Sequence, residues 1–134
     1  MSGRAGARRG PGRPRLSRSA DFDRVFRQGR SHACRELVLY VFPRESEEPP
    51  RLGLSVSRKV GDAVQRNHVK RLIREAFDTE SESLPVGTDA VVVARAEART
   101  LAEREGLEGI RAALAGLLAR ASGERAPAEQ PQRT

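Results

Sequence analysis

The sequence predicts an α+β fold built on a single sheet, and three observations carry that prediction. Apolar residues recur at helical spacing in three separated stretches. Runs with strand character lie between them. The elements follow one another as helix, strands, helix, strand, helix rather than as repeated βα units, and no internal repeat is visible. About four strands fit, in the order α-β-β-β-α-β-α.

The first helix is expected from Ala20 to Gln28, with Ser19 as its N-cap, Asp21 and Asp23 in its first turn and Gly29 as its stop. Phe22, Val25 and Phe26 form its apolar stripe. A short strand around His32–Arg35 is weakly signalled. Residues 37–42 (Leu-Val-Leu-Tyr-Val-Phe) read as a strand ended by Pro43, with Leu37, Leu39 and Val41 on one face and Val38, Tyr40 and Phe42 on the other. Residues 44–50 read as an exposed acidic turn. In residues 51–57, Leu52, Leu54 and Val56 alternate with Gly53, Ser55 and Ser57, and this strand is expected to pair with the preceding one as a hairpin.

Gly61-Asp62 breaks the chain before a second helix whose buried stripe is Val69, Leu72, Ile73 and Ala76. Residues 85–88 are a loop, and Asp89–Ala94 with its Val91-Val92-Val93 run is a buried strand. A third helix is expected from about Arg99 to Arg120 along Leu107, Ile110, Leu114, Leu117, Leu118 and Ala121, with Gly106 and Gly109 weakening its first half. The domain organisation follows: residues 1–16 a flexible basic arm, 17–121 one folded domain, 122–134 a disordered polar tail. About 100 foldable residues suffice for a single core.

Composition narrows the function classes. Hydrophobic content is 37% and there is no Trp, so the core is aliphatic. The single cysteine, Cys34, excludes an internal disulfide and any Cys cluster for zinc, which fits a reducing, cytoplasmic setting. No apolar run is long enough for a membrane span, and the Arg-, Gly- and Pro-rich start lacks the apolar segment of a secretory signal. The net charge of +7 is concentrated: residues 1–30 hold +7 and residues 51–75 hold +5, while the rest is mildly acidic. Such a layout suits a nucleic acid or another anionic surface. The excess of Arg over Lys, 23 to 2, says less, because a GC-rich genome also raises Arg.

On the second helix, Arg66, Asn67, Lys70, Arg71 and Arg74 gather opposite the buried stripe, and the only acid among them is Glu75 at the margin. A solvated face would account for a charge run alone. The clustering, the adjoining Arg58-Lys59 and the separate basic arm favour a polyphosphate partner. Asn67 adds an amide that both donates and accepts. Phe22, Phe26, Tyr40 and Phe42 have a core reading, yet unstacked RNA bases lie on such rings, and Tyr40 with its hydroxyl is the best placed of the four. Whether Phe22 or Phe26 is buried stays open on spacing alone. An enzyme constellation is not visible: His32 and His68 lack metal-ligand partners, Ser55 and Ser57 lack an elbow motif, and no phosphate-binding glycine loop occurs.

The run Arg66-Asn67-His68-Val69-Lys70-Arg71-Leu72-Ile73-Arg74-Glu75 closely resembles the signature helix of the bacterial ribonuclease P protein subunit family. The stretch from Arg51 to Val64 resembles that family's strand and loop, and Asp21–Phe26 and Leu37–Tyr40 resemble its first helix and strand; the likeness covers roughly residues 14–120. One departure is His68, where the family usually has a second Arg, so that a fixed charge is replaced by a titrating one. The resemblance implies a ribosomal protein S5 domain 2-like fold with a left-handed βαβ crossover, the rarer hand. It implies a 1:1 complex with ribonuclease P RNA, whose catalytic RNA removes the 5′ leader of precursor tRNA with Mg²⁺ held mainly by the RNA and the substrate. By the same likeness Arg58, Lys59, Arg66, Asn67, His68, Lys70, Arg71 and Arg74 dock the RNA subunit. Phe22, Phe26, Tyr40, Asn67 and Lys70 hold the leader. No catalytic residue, metal ligand or membrane partner is expected of this chain. A stand-alone RNA-binding or ribosomal protein and a protein-only nuclease are the alternatives. The second requires a carboxylate cluster, which Glu75, Asp78, Glu80 and Glu82 do not form with any evident partner.

Overall fold

In the computed structural model, which describes residues 15–16, 19–44 and 46–123, three helices and one four-stranded sheet follow in order. They are α1 (Ser19–Gln28), β1 (Arg30–Ala33), β2 (Leu37–Pro43), β3 (Arg51–Val56), α2 (Ala63–Glu80), β4 (Thr88–Ala94) and α3 (Glu97–Gly123), with a single 3-10 turn at Ser81–Ser83 after α2. The α+β class and element order are those expected. Ser19, expected as a cap, is the first helical residue of α1. β1 lies two residues earlier than its weak signal because only His32 points into the core; the rest of the strand is exposed.

The strand order β1-β2-β4-β3 corrects the expected hairpin. β2 pairs antiparallel with β1 and with β4, and among the strands β3 pairs with β4, in parallel. The reason lies in β4, of which every residue but Val93 is buried. A strand buried on both faces takes the centre of a sheet, and it displaces β3 from β2. The parallel pair β3–β4 is joined through α2, since a parallel connection needs a crossover.

Alternation divides the core into two. Leu37 and Leu39 of β2, Leu52 of β3 and Ala90, Val92 and Ala94 of β4 face α2 and α3. There they meet Val69, Leu72, Ile73, Ala76 and Phe77 of α2 and Ile110, Leu114, Leu117, Leu118 and Ala121 of α3. The other face carries a smaller cluster, Leu16, Val25 and Val91, with Phe22, Tyr40, Phe42 and Val93 partly buried around it. Among the described residues α1 and Leu16 cover that side, and Phe22, Tyr40, Phe42 and Val93 are only partly buried.

α3 starts two residues earlier and ends later than expected, and it kinks at Gly106, whose φ of 61° favours glycine. Arg111 fastens α3 to the end of α2 through Glu80 at 2.9 Å. Most of the expected arm and tail lies outside the described residues. Where they are described, both depart from the expectation: Leu16 is buried and its N–H donates to the Leu52 carbonyl at 3.0 Å, and Ser122 and Gly123 continue α3.

Phe77 ends the α2 stripe, fully buried among residues of both helices and the sheet. Phe77→Ala is therefore expected to cost about 3–5 kcal/mol of stability, read as a lower urea midpoint with an unchanged m-value.

Candidate nucleic-acid interface

α2 begins with a reciprocal cap: Asp62 Oδ1 accepts from the Gln65 backbone N–H at 2.9 Å, and the Gln65 side chain accepts from the Asp62 N–H at 2.9 Å. From sequence, Gly61-Asp62 reads only as a breaker. The turn before it, closed by Val60 N–H to the Ser57 carbonyl at 3.0 Å and pinned by buried Val60, leaves Arg58 and Lys59 exposed at the helix N-terminal end.

The cationic face of α2 is two rows. Asn67, His68 and Arg71 are exposed. Arg66, Lys70 and Arg74, at i, i+4 and i+8, form a half-buried row on one flank. Arg66 Nη1 donates to the Gly61 carbonyl at 3.1 Å. Arg71 Nη2 lies 3.0 Å from His68 Nδ1, so the ring departing from the family's pattern faces a guanidinium. Burial weakens Arg74's hold on its proton, and the neighbouring charge of Arg15 adds to the effect. Among the described residues no carboxylate is within ion-pair distance of Arg58, Lys59, Arg66, Lys70, Arg71 or Arg74. An array of cations without internal counter-ions is suited to take them from a polyphosphate.

The aromatic candidates lie on the other face of the sheet. Phe26 is 39% exposed and its ring centroid is 4.9 Å from that of Tyr40, edge to face at 89°. Phe22 lies 6.2 Å from Phe26, but its ring is pressed on β3: a Cβ at Gly53 would stand 2.7 Å from Phe22 Cζ. The two phenylalanines thus differ. Phe22 anchors the helix, and Phe26 and Tyr40 present accessible rings. The structure brings Phe22, Phe26 and Tyr40 together. Asn67 and Lys70 sit on α2 and make no ring or hydrogen-bond contact with them. The two faces approach at the outer edge of β3, where Arg15, bridged to Leu52, lies near Arg74.

A feature missed at the sequence level is the ion cluster at the start of β4. Asp89 is fully buried. Arg51 grips it with two bonds, Nε to Oδ1 and Nη2 to Oδ2, both 2.9 Å, and Arg44 Nε adds a third at 3.0 Å. Burial pushes the Asp89 carboxyl up, but the hydrogen bonds and charges of Arg51 and Arg44 outweigh it and hold the group below its ordinary value. The Asp89 bond in turn raises Arg51. The only signal in the sequence is a lone acid heading an apolar strand and a lone Arg heading its parallel neighbour. Among the described residues no group of three or more His, Cys, Asp or Glu is placed to hold a metal ion.

The ribonuclease P family model matches residues 11–121. The chain belongs to the ribonuclease P protein family. It is 47% identical over 91 residues to the ribonuclease P protein component of Shouchella clausii, covering 68% of this chain and 75% of that one. It is 48% identical over 81 residues to the protein component of Halalkalibacterium halodurans, covering 60% and 68%. Two solved family members superpose on it: the Staphylococcus aureus protein with a TM-score of 0.69 at 36% identity, over 80% of this chain and 94% of that one, and the Thermotoga maritima protein with 0.71 at 34%, over 81% and 97%. Among the described residues no helix is long and apolar enough to cross a membrane.

A carboxyl held below its ordinary value stabilises the fold above that value, and the contribution is lost as pH falls through the folded value. Asp89→Asn is expected to cost about 3 kcal/mol at pH 7. The gap to the parent protein should close as the pH drops below about 4. Urea midpoints at several pH values test this, and a gap that stays constant would assign the acid limb to other groups.

Proposed function

We propose that the chain is the protein component of a ribonuclease P holoenzyme, assisting a catalytic RNA that cuts the 5′ leader from precursor tRNA. The observation that carries the reading is the cationic array of α2 and Arg58-Lys59, free of carboxylates among the described residues, backed by family membership. In this reading Arg58, Lys59, Arg66, Asn67, His68, Lys70, Arg71 and Arg74 dock the RNA subunit in a 1:1 complex. The phosphates supply affinity that falls steeply with salt. Phe26 and Tyr40 take bases of the single-stranded leader, Phe22 supports Phe26 from below, and Lys70 and Asn67 border the docked RNA. Aromatic rings suit this role because every base has a π-face. In this reading Mg²⁺ is held mainly by the RNA subunit and the substrate, and no chemical step is assigned to this chain.

The decisive experiment combines the protein with its own ribonuclease P RNA and 5′-labelled precursor tRNA at low Mg²⁺. Cleavage at the mature 5′ end that needs both components supports the proposal. No effect of the protein on that RNA, with binding to other structured RNAs retained, makes it a stand-alone RNA binder.

Two substitutions address the separate faces. Arg66→Ala and Lys70→Ala are each expected to weaken assembly with the RNA subunit and to shallow the log–log salt dependence by roughly 0.7–0.9 for each phosphate no longer neutralised. Unchanged affinity in both would remove that row from the interface. Tyr40→Ala should lower affinity for leader-bearing precursor by about 1–3 kcal/mol and leave mature tRNA nearly unaffected. Equal losses for both RNAs would take Tyr40 out of the leader site.

A further inference from the structure

Among the described residues α1 is the one helix on the second face of the sheet, so the spacing of the rings depends on where that helix sits. One end of α1 is tied by the chain: it stops at Gln28, β1 begins at Arg30, and the Gly29 N–H donates to the Val25 carbonyl at 2.9 Å. The other end is held across space. Asp21 Oδ2, in the first turn, lies 3.8 Å from Arg51 Nη2, and the same guanidinium grips buried Asp89 of β4 with two bonds of 2.9 Å. One residue beyond Asp21, Phe22 lies on Gly53, two residues beyond Arg51. Ion pair and ring contact are thus neighbours along both elements. Arg44, which also reaches Asp89, spends its remaining reach on Glu48 at 3.3 Å rather than on α1. Among the described residues Arg51 is the ion-pair link from α1 to the sheet.

We propose that Arg51 is a positioning residue for the aromatic cleft. It sets the height of the first turn of α1 above β3 and β4, and so the spacing between Phe26 and Tyr40. A single-stranded base enters there on the reading above, on which the functional half of this proposal rests. The planar fork is what the geometry uses: two parallel bonds fix the guanidinium plane and leave Nη2, which bonds Asp89, facing Asp21 as well, a fixed orientation that an ammonium cannot supply.

The chain has one Tyr and no Trp, so its intrinsic fluorescence reports Tyr40 alone. Two variants of the full chain are compared with the parent, Arg51→Lys and Asp21→Asn. Asp21→Asn cuts the α1 end, together with the Arg24–Asp21 pair of 3.3 Å within the helix, and leaves the Arg51–Asp89 pair intact, so it keeps the test available if Arg51→Lys folds poorly. Acrylamide quenching of Tyr40 is measured in the free protein. Dissociation constants for leader-bearing precursor and for mature tRNA are measured with the assembled holoenzyme. Both variants are expected to change the quenching constant and to weaken precursor binding by about threefold to tenfold, while mature tRNA stays within about twofold. Unchanged quenching in folded variants overturns the proposal. Equal losses for both RNAs, tracking a lower thermal midpoint, overturn it too, because that is what a merely structural pair would do. Changed quenching with unchanged leader discrimination keeps the positioning role and removes the leader from the cleft, so the two ideas fail separately.

Discussion

β4 gives little to solvent on either face: Ala90, Val92 and Ala94 point towards α2 and α3, Asp89 and Val91 towards α1, all five are buried, and Val93 is half-buried. Such a strand needs a neighbour on each edge and a layer on each side. That requirement puts β2 and β3 on its two edges, β2 antiparallel to it and β3 parallel. A parallel pair cannot be joined by a tight turn, so the connection becomes α2. The basic helix is therefore a consequence of where β4 lies. Its apolar stripe is bolted to the sheet and to α3, and its cations project from a rigid base.

The same requirement leaves the second face short of cover. Two helices fill one side; a ten-residue helix with a single fully buried side chain serves the other. The buried acid there uses up two of the protein's cations, since Arg44 and Arg51 spend their charge on Asp89. Net charge alone would have counted both as available to RNA. The cations of α2 and the turn before it, by contrast, have no carboxylate partners among the described residues. The electrostatic surface is thus sharper than the composition indicates, and it lies across the sheet from the rings.

Local periodicity made most elements legible. The stripes Val69-Leu72-Ile73-Ala76 and Ile110-Leu114-Leu117-Leu118 needed only spacing, and the faces of β2 followed from alternation. Pairing did not follow. Nearness in sequence suggests a β2–β3 hairpin, whereas the partner is decided by the burial of a strand that comes after α2. The Arg51–Asp89 pair is hidden for the same reason, because only the parallel register sets one opposite the other. The roles of Phe22 and Phe26 are undetermined by spacing because both lie on one helical face. Gly53, a residue of another element, decides which ring packs down.

That decision bears on what the cleft can do. Phe22 is held against backbone and cannot leave without opening the small core around Val25 and Val91. Phe26 and Tyr40 are held by less: an edge-to-face pair adds about 0.5–1.5 kcal/mol beyond its buried area. A base stacking on one of the rings contributes about 1–3 kcal/mol. On the proposed reading, the stacking of a base is of the same order as the edge-to-face contribution that the rings lose by parting. Anchoring Phe22 is what allows this, because the helix keeps its place when the outer pair opens. On the proposed reading such a cleft stacks bases of any kind, because every base has a π-face. Discrimination is then left to the distance between the rings and the cations beyond the β3 edge, a distance set by the backbone of α1, β3 and α2.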